Sequence, residues 1–111
     1  GVAGRSWVMH ARVVDLRVRP METKEVVGIY RDSVLPAARE QSGFMGALLL
    51  TDSTGIGMSI TLWETEEDRE RGEASGFYKE QINKFADHLI ETPVRKHYDV
   101  GVLHYEVSAL A

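Results

Sequence analysis

FMGALLLTDSTGIGMSITLWETEED, residues Phe44–Asp68, is the stretch that decides the fold. Two apolar, β-rich runs, Phe44–Thr51 and Gly57–Glu64, flank the loop Asp52-Ser53-Thr54-Gly55-Ile56. A loop of this length is common in hairpins, and its glycine supplies a positive φ without steric penalty. The two runs therefore predict the second and third strands of an antiparallel hairpin. Thr65-Glu66-Glu67-Asp68 follows at once in the pattern of a capping box. The threonine hydroxyl accepts a free backbone N–H and Asp68 reaches back. The unit is a hairpin running straight into a helix, with bulky Trp63 at the hinge.

Toward the N-terminus, Trp7–Arg19 alternates and is β-branched, which predicts a first strand stopped by Pro20. Val14, Leu16 and Val18 share one face, and Asp15, Arg17 and Arg19 the other. From about Glu22 to Gln41, Val26, Val27, Tyr30, Val34 and Ala38 recur at helical spacing. Pro36 falls inside this helix and predicts a bend or break near Arg31-Asp32, whose carbonyls its ring disturbs. Ser42-Gly43 ends the segment.

Toward the C-terminus, Gly72 and Ser75-Gly76 interrupt the helix begun at Thr65. A second piece from Phe77 to Leu89 carries the apolar stripe Tyr78, Ile82, Phe85, Ala86 and Leu89. Thr92-Pro93 predicts one more helical turn through about Lys96, and Tyr98–Val107 predicts the fourth strand. The order β-α-β-β-α-β is the split βαβ pattern of a ferredoxin-like α+β domain with an antiparallel sheet.

At 111 residues the chain suits one domain with a core of its own, assigned to residues 9–111. Residues 1–8 are either an upstream extension or non-native residues, or else Trp7 and Val8 begin the first strand. Gly1–Val8 lacks the basic-then-apolar grammar of a signal peptide, and no apolar run reaches the ~18 residues of a membrane span. With a formal charge of −4 and scattered basic residues, a nucleic-acid partner is not expected. Zero cysteines exclude disulfides, thiolate metal sites and thiol catalysis, and fit a cytoplasmic location.

The second strand bears on assembly. Plain alternation places Phe44, Leu48 and Leu50 on one face and Met45, Ala47 and Leu49 on the other, so both faces are apolar. Two helices cover only one face of a ferredoxin-like sheet. The other requires a second copy laid sheet to sheet, hence a homodimer, or a C-terminal segment folded over it.

Tyr30–Pro36 (YRDSVLP), the pair Gly43-Phe44, Ile60–Glu64 (ITLWE) before an acidic helix start, and Gly76-Phe77-Tyr78 together carry a resemblance. From Met9 to Val107 the chain resembles the dimeric α/β-barrel superfamily, and within it the antibiotic-biosynthesis-monooxygenase-like group. The resemblance implies a small apolar pocket with Trp63 at its wall. It also implies one of three roles found in that group: cofactor-free oxidation of aromatic polyketides, haem degradation, or a role not defined. Haem-degrading members use an asparagine on the first strand and a histidine on the helix after the tryptophan. Here Val14 or a neighbour stands at the first place, and no histidine lies between Trp63 and His88, which disfavours haem. Polyketide oxidases carry an asparagine just before the tryptophan, where this chain has Ser59 and Thr61.

Ser59, Thr61 and Trp63 share one face of the third strand, so two hydroxyls and an indole could orient a flat aromatic ligand. The competing reading has the hydroxyls satisfying local groups and Trp63 filling the core. Tyr30, Arg31 and Tyr78 are further candidates for holding a phenolate or carboxylate, against roles as core tyrosines and a solvated charge. His10 and His104 would approach one another if the first and fourth strands are neighbours, making His104 a candidate general base. No histidine pair has metal-ligand spacing, and nucleophile elbows, phosphate loops and dinucleotide glycine fingerprints are absent, so no metal or cofactor is expected. The sequence thus predicts a homodimeric monooxygenase-like protein for a small quinol- or polyketide-type aromatic, with Trp63, His104 and Tyr30 as catalytic candidates. Its rival is a non-catalytic ligand-binding or accessory homodimer.

Overall fold

The computed structural model describes residues 8–107. Four strands, β1 (His10–Arg17), β2 (Phe44–Thr51), β3 (Ile56–Trp63) and β4 (Val94–Asp99), form one sheet in the order β2-β3-β1-β4. All three neighbouring pairs are antiparallel. Between β1 and β2 lie α1 (Thr23–Ile29) and α2 (Leu35–Arg39); between β3 and β4 lie α3 (Glu66–Ala74) and α4 (Phe77–Asn83). This is the ferredoxin-like α+β arrangement that the order of elements predicts. Among the described residues no helix is long and apolar enough to cross a membrane.

The β2–β3 loop holds itself together. Asp52 Oδ1 accepts from Thr54 N at 2.8 Å, Thr54 Oγ1 at 2.7 Å and Ile56 N at 3.1 Å. Gly55 has φ +94°, and a Cβ there would lie 2.1 Å from the Val18 carbonyl oxygen. Only glycine lets the loop dock this closely against the end of β1, where Val18 N donates to Gly55 O at 2.9 Å. At the other end of the hairpin Thr65 Oγ1 accepts from Asp68 N at 3.0 Å, which starts α3.

Pro36 acts through the turn before it. Tyr30–Val34 forms a wider π-helical turn between α1 and α2, and Pro36 falls in the first turn of α2, where no donor is needed. The disturbance expected near Arg31-Asp32 takes that form. The core beneath the helices is Val18, Val26, Tyr30, Val34 and Phe85, with Ile29, Ala47, Leu49 and Leu89 packed against it.

Four expectations need correction. The pairing of β2 with β3 slips between Phe44 and Gly46, so Phe44 lies opposite Trp63 while Ala47 lies opposite Thr61. This bulge places Phe44 with Ala47 and Leu49 on the helix-covered face, not with Leu48 and Leu50. Thr92–Lys96 is no helical turn, because Val94–Asp99 pairs with β1 along six residues and ladder bonds outweigh an isolated turn. The fourth strand therefore precedes the expected Tyr98–Val107, most of which lies outside any strand. Finally, α4 ends at Asn83; tight turns then bring Leu89 to bridge Val18 and Ile90 N to Arg17 O at 2.9 Å. The suggestion that Trp7 begins the first strand lies outside the described residues.

Candidate functional site

A cavity opens between the covered sheet face and the helices. Its floor is Arg12, Val14 and Leu16 of β1 with Ser59 and Thr61 of β3. Tyr30, Val34 and Ala38 close one side; Phe77, Tyr78, Gln81, Ile82 and Phe85 close the other. Period-two spacing explains the floor, since even positions of β1 and odd positions of β3 point to the same side. The cavity volume is about 40 Å³. One water needs roughly 10–15 Å³ of such space, so the cavity has room for a few waters and no more. An aromatic ligand must spread it.

Arg12 is the dominant polar group. It is 5 % exposed, and its guanidinium carbon lies 5.2 Å from the Trp63 ring centroid and 5.1 Å from that of Tyr78. Both distances fall within cation–π range. Arg12 Nη1 donates to Arg69 O at 3.2 Å and to Glu73 Oε2 at 3.3 Å. Burial pushes the guanidinium below its ordinary pKa, while Glu73 works in the opposite direction. Arg95 covers the Tyr78 ring at 4.8 Å and also pairs with Glu73 at 3.2 Å, and His97 Nε2 lies 2.8 Å from the same carboxylate. One carboxylate therefore serves three basic side chains.

The tyrosines differ in their partners. The Tyr30 hydroxyl is bonded to Ser59 Oγ at 3.0 Å. Burial raises its pKa, an effect the Ser59 bond opposes. Burial also raises Tyr78, with Arg95 and Arg12 opposing, so both phenols stay protonated at neutral pH.

The structure gathers some of the sequence candidates and separates others. Tyr30, Ser59, Thr61 and Tyr78 all line the cavity. Trp63 is 1 % exposed and lies behind the lining, with Nε1 donating to Thr61 Oγ1 at 2.9 Å and Phe44 packed edge-on at 5.6 Å. It braces Arg12 from beneath. Both strand hydroxyls are thus engaged inside the protein. Arg31 is exposed, does not line the cavity and pairs with its neighbour Asp32 at 2.9 Å, because the π-turn directs it to solvent. His104 lies past the end of β4, exposed and 3.1 Å from Glu106, so it does not face His10 across the sheet. Asp99 takes that position, 2.9 Å from His10 Nδ1.

Arg12, Glu73, Gln81 and Arg95 are the residues missed by sequence reading. Arg12 was within reach, since continuing Val18, Leu16, Val14 by two places puts a lone arginine on an apolar face. Gln81 interrupts the apolar stripe of α4 in the same way. Glu73 and Arg95 leave no such trace, because tertiary packing alone unites α3 with β4. Elsewhere Glu22, Glu25 and His88 bring ligand-type atoms within 4.8 Å of one another. Arg19 already pairs with Glu22, and the group lies apart from the cavity lining.

No family model matches the sequence, and no curated protein matches it either. Solved structures do. A monooxygenase from the gene ActVA-Orf6 of Streptomyces coelicolor, solved with the ligand nanaomycin D, superposes with a TM-score of 0.71 at 17 % identity, over 89 % of this chain and 93 % of that one. SnoaB, a cofactor-independent oxygenase from Streptomyces nogalater, gives 0.67 at 16 % identity, over 88 % and 98 %. NE2512, a protein of unknown function from Nitrosomonas europaea, gives 0.68 at 17 % identity, over 89 % and 95 %. Identities this low speak for the backbone and not for the chemistry. The chain has the ferredoxin-like fold shared with antibiotic biosynthesis monooxygenases.

Proposed function

We propose that the protein oxidises a small electron-rich aromatic with molecular oxygen, without metal or organic cofactor. The observation that carries this reading is a mostly apolar cavity whose polar groups include Arg12, Tyr30 and Tyr78, which suit a phenolic ligand. In such a reaction a substrate CH₂ group activated by phenolic oxygens loses a proton, and the carbanion passes an electron to O₂. Recombination forms a C–O bond, and loss of water breaks the O–O bond and leaves a carbonyl. One oxygen atom ends in product and the other in water, so no external reductant is consumed. The protein's share is to hold the anion, supply cationic stabilisation and exclude water. Similarity to oxygenases of the same fold supports the reading.

The rival is a ligand-binding protein without turnover. It is favoured by the engagement of Ser59 by Tyr30 and of Thr61 by Trp63, which leaves fewer donors for a substrate. Oxygen-electrode measurements with a panel of hydroquinones and anthrones decide between them. Oxygen-dependent product at rates at least tenfold over buffer is the expected result. Ligand-induced thermal stabilisation with no oxygen uptake anywhere would leave the binding protein.

The functional unit we propose is a homodimer joined through the sheet face remote from the helices. That face exposes Leu48 and Leu50 of β2, Ile56 of β3, and Val94 and Tyr98 of β4. Its charges are paired within the protein, Asp15 with Lys96 at 3.0 Å and Arg17 with Glu91 at 3.6 Å, so nothing there calls for a charged partner. Val102, Leu103, Tyr105 and Val107, beyond β4, are exposed as well. A second copy can bury the face and the tail together. Sedimentation at micromolar concentration should give twice the chain mass; a single-chain mass there overturns the dimer.

A further inference from the structure

Gln81 presents a contradiction that the oxidase reading does not use. It is 7 % exposed and lines the cavity, yet its Oε1 is buried without any hydrogen-bond partner among the described residues. Buried acceptors are rarely left unmatched, because the lost hydration is not replaced. Tyr30, the closing tyrosine opposite, is already committed to Ser59. The other end of the lining has the reverse imbalance. Arg12 donates through Nη1 only, leaving Nε and Nη2 without an acceptor among the described residues. Glu73, its one carboxylate partner, is shared with Arg95 and His97. The cavity therefore holds a spare acceptor and a spare cationic fork, and a ligand that satisfies both must carry a donor and an anionic oxygen.

We propose that Arg12 and Gln81 form a recognition pair for a hydroxylated aromatic anion. The anionic oxygen, phenolate or carboxylate, sits on the free donors of Arg12, and a ligand hydroxyl donates to Gln81 Oε1. Stacking of the ring against Tyr78 and Phe77 accounts for the aromatic part. This rests on the cavity being the ligand site, and it names the class of ligand. Gln81 is a specificity-determining residue in this scheme: it favours ligands that carry the hydroxyl, because only they give its oxygen a partner.

The test is calorimetric binding of the three hydroxybenzoate isomers, benzoate and benzamide to the full chain, under argon. At least one hydroxybenzoate should bind about tenfold tighter than benzoate, and benzamide about tenfold weaker than benzoate. Gln81→Leu should erase the hydroxyl advantage, leave benzoate unchanged and raise the melting temperature of the free protein by removing the orphaned oxygen. Arg12→Lys should keep the fold while weakening all the anions, since an ammonium cannot reproduce the planar fork. Equal affinity for benzoate and every hydroxybenzoate overturns the pair. So does an equal loss for both classes in Gln81→Leu, which is what a water-filled, purely structural glutamine gives. Hydroxybenzoates are not quinols, so the two proposals fail separately. Selective binding without oxygen uptake removes catalysis alone, and quinol oxidation indifferent to both substitutions removes the pair alone.

Discussion

Beneath the helices the sheet buries Arg12 and Thr61, while on its opposite side Leu48, Leu50 and Ile56 stand about half exposed at 52, 47 and 49 %. At these positions the ordinary distribution of polarity is turned around, although most of the buried core is apolar: a charge and a hydroxyl are inside, and aliphatic side chains are outside. Each departure has a cost, and each points to a use. A buried cation is tolerated only with partners, which Glu73 and the rings of Trp63 and Tyr78 supply in part. The remainder is what a ligand can satisfy. An exposed aliphatic face has no such internal remedy and is relieved by another surface. The covered face is thus organised for recognition, and the open face for assembly.

Trp63→Ala strikes the covered face hardest. It removes a side chain that is 1 % exposed and takes away the support beneath Arg12. Urea denaturation should show a loss of about 3–5 kcal/mol; a loss below about 1 kcal/mol would mean that the indole does not organise this face. Leu48→Glu attacks the other side. Two copies of the charge would meet across a two-fold interface, and sedimentation should show dimer association weakened about a hundredfold or more, with the protomer still folded. An unchanged association state would remove the contrast between the faces.

Smaller changes sharpen the comparison. Tyr30→Phe deletes the bond to Ser59 and leaves a half-buried hydroxyl alone, for a loss of about 1 kcal/mol in the same denaturation assay. The smallest effect lies off both faces, at Glu22. Hydrogen bonds from Arg19 first and His88 second lower its pKa to about 2 from an ordinary 4.5. A lowered folded-state value means the stabilisation is complete above about pH 4.5 and fades as pH falls toward 2. Glu22→Gln should therefore flatten the acid side of the melting-temperature profile in that window and leave neutral-pH ligand binding as it was. A profile that overlays the parent's would show that the ion pair contributes nothing.

Much of the frame was legible from residues alone. The Asp52–Ile56 loop, the Thr65 cap and the interruption at Pro36 are local events, governed by φ preference, capping and a missing donor within a few residues. The site was only half legible. Tyr30, Ser59, Thr61 and Tyr78 do line one cavity, while Arg31 and His104 stand away from it. Arg31 could not be placed, because a π-turn rotates every side chain on it by an amount that spacing does not reveal. His104 depended on which β-prone segment pairs with β1. Val94–Asp99 and Tyr98–Val107 are both plausible strands, and ladder registration with His10–Asp15 selects the first. The bulge at Phe44–Gly46 is a comparable case, since a single extra residue moves Phe44 onto Trp63.

Local chemistry in the chain was enough to determine the first three strands, the order of the elements and the double apolar character of β2, because turns, caps and periodicity act over short separations. Tertiary structure alone decided that Arg12 and Gln81 share one cavity, that Glu73 joins Arg12 to Arg95, and that Trp63 sits behind the lining. Those meetings join residues from β1, α3, α4 and β4, and strand pairing together with the packing of the helices on the sheet, not any local preference, brings them together.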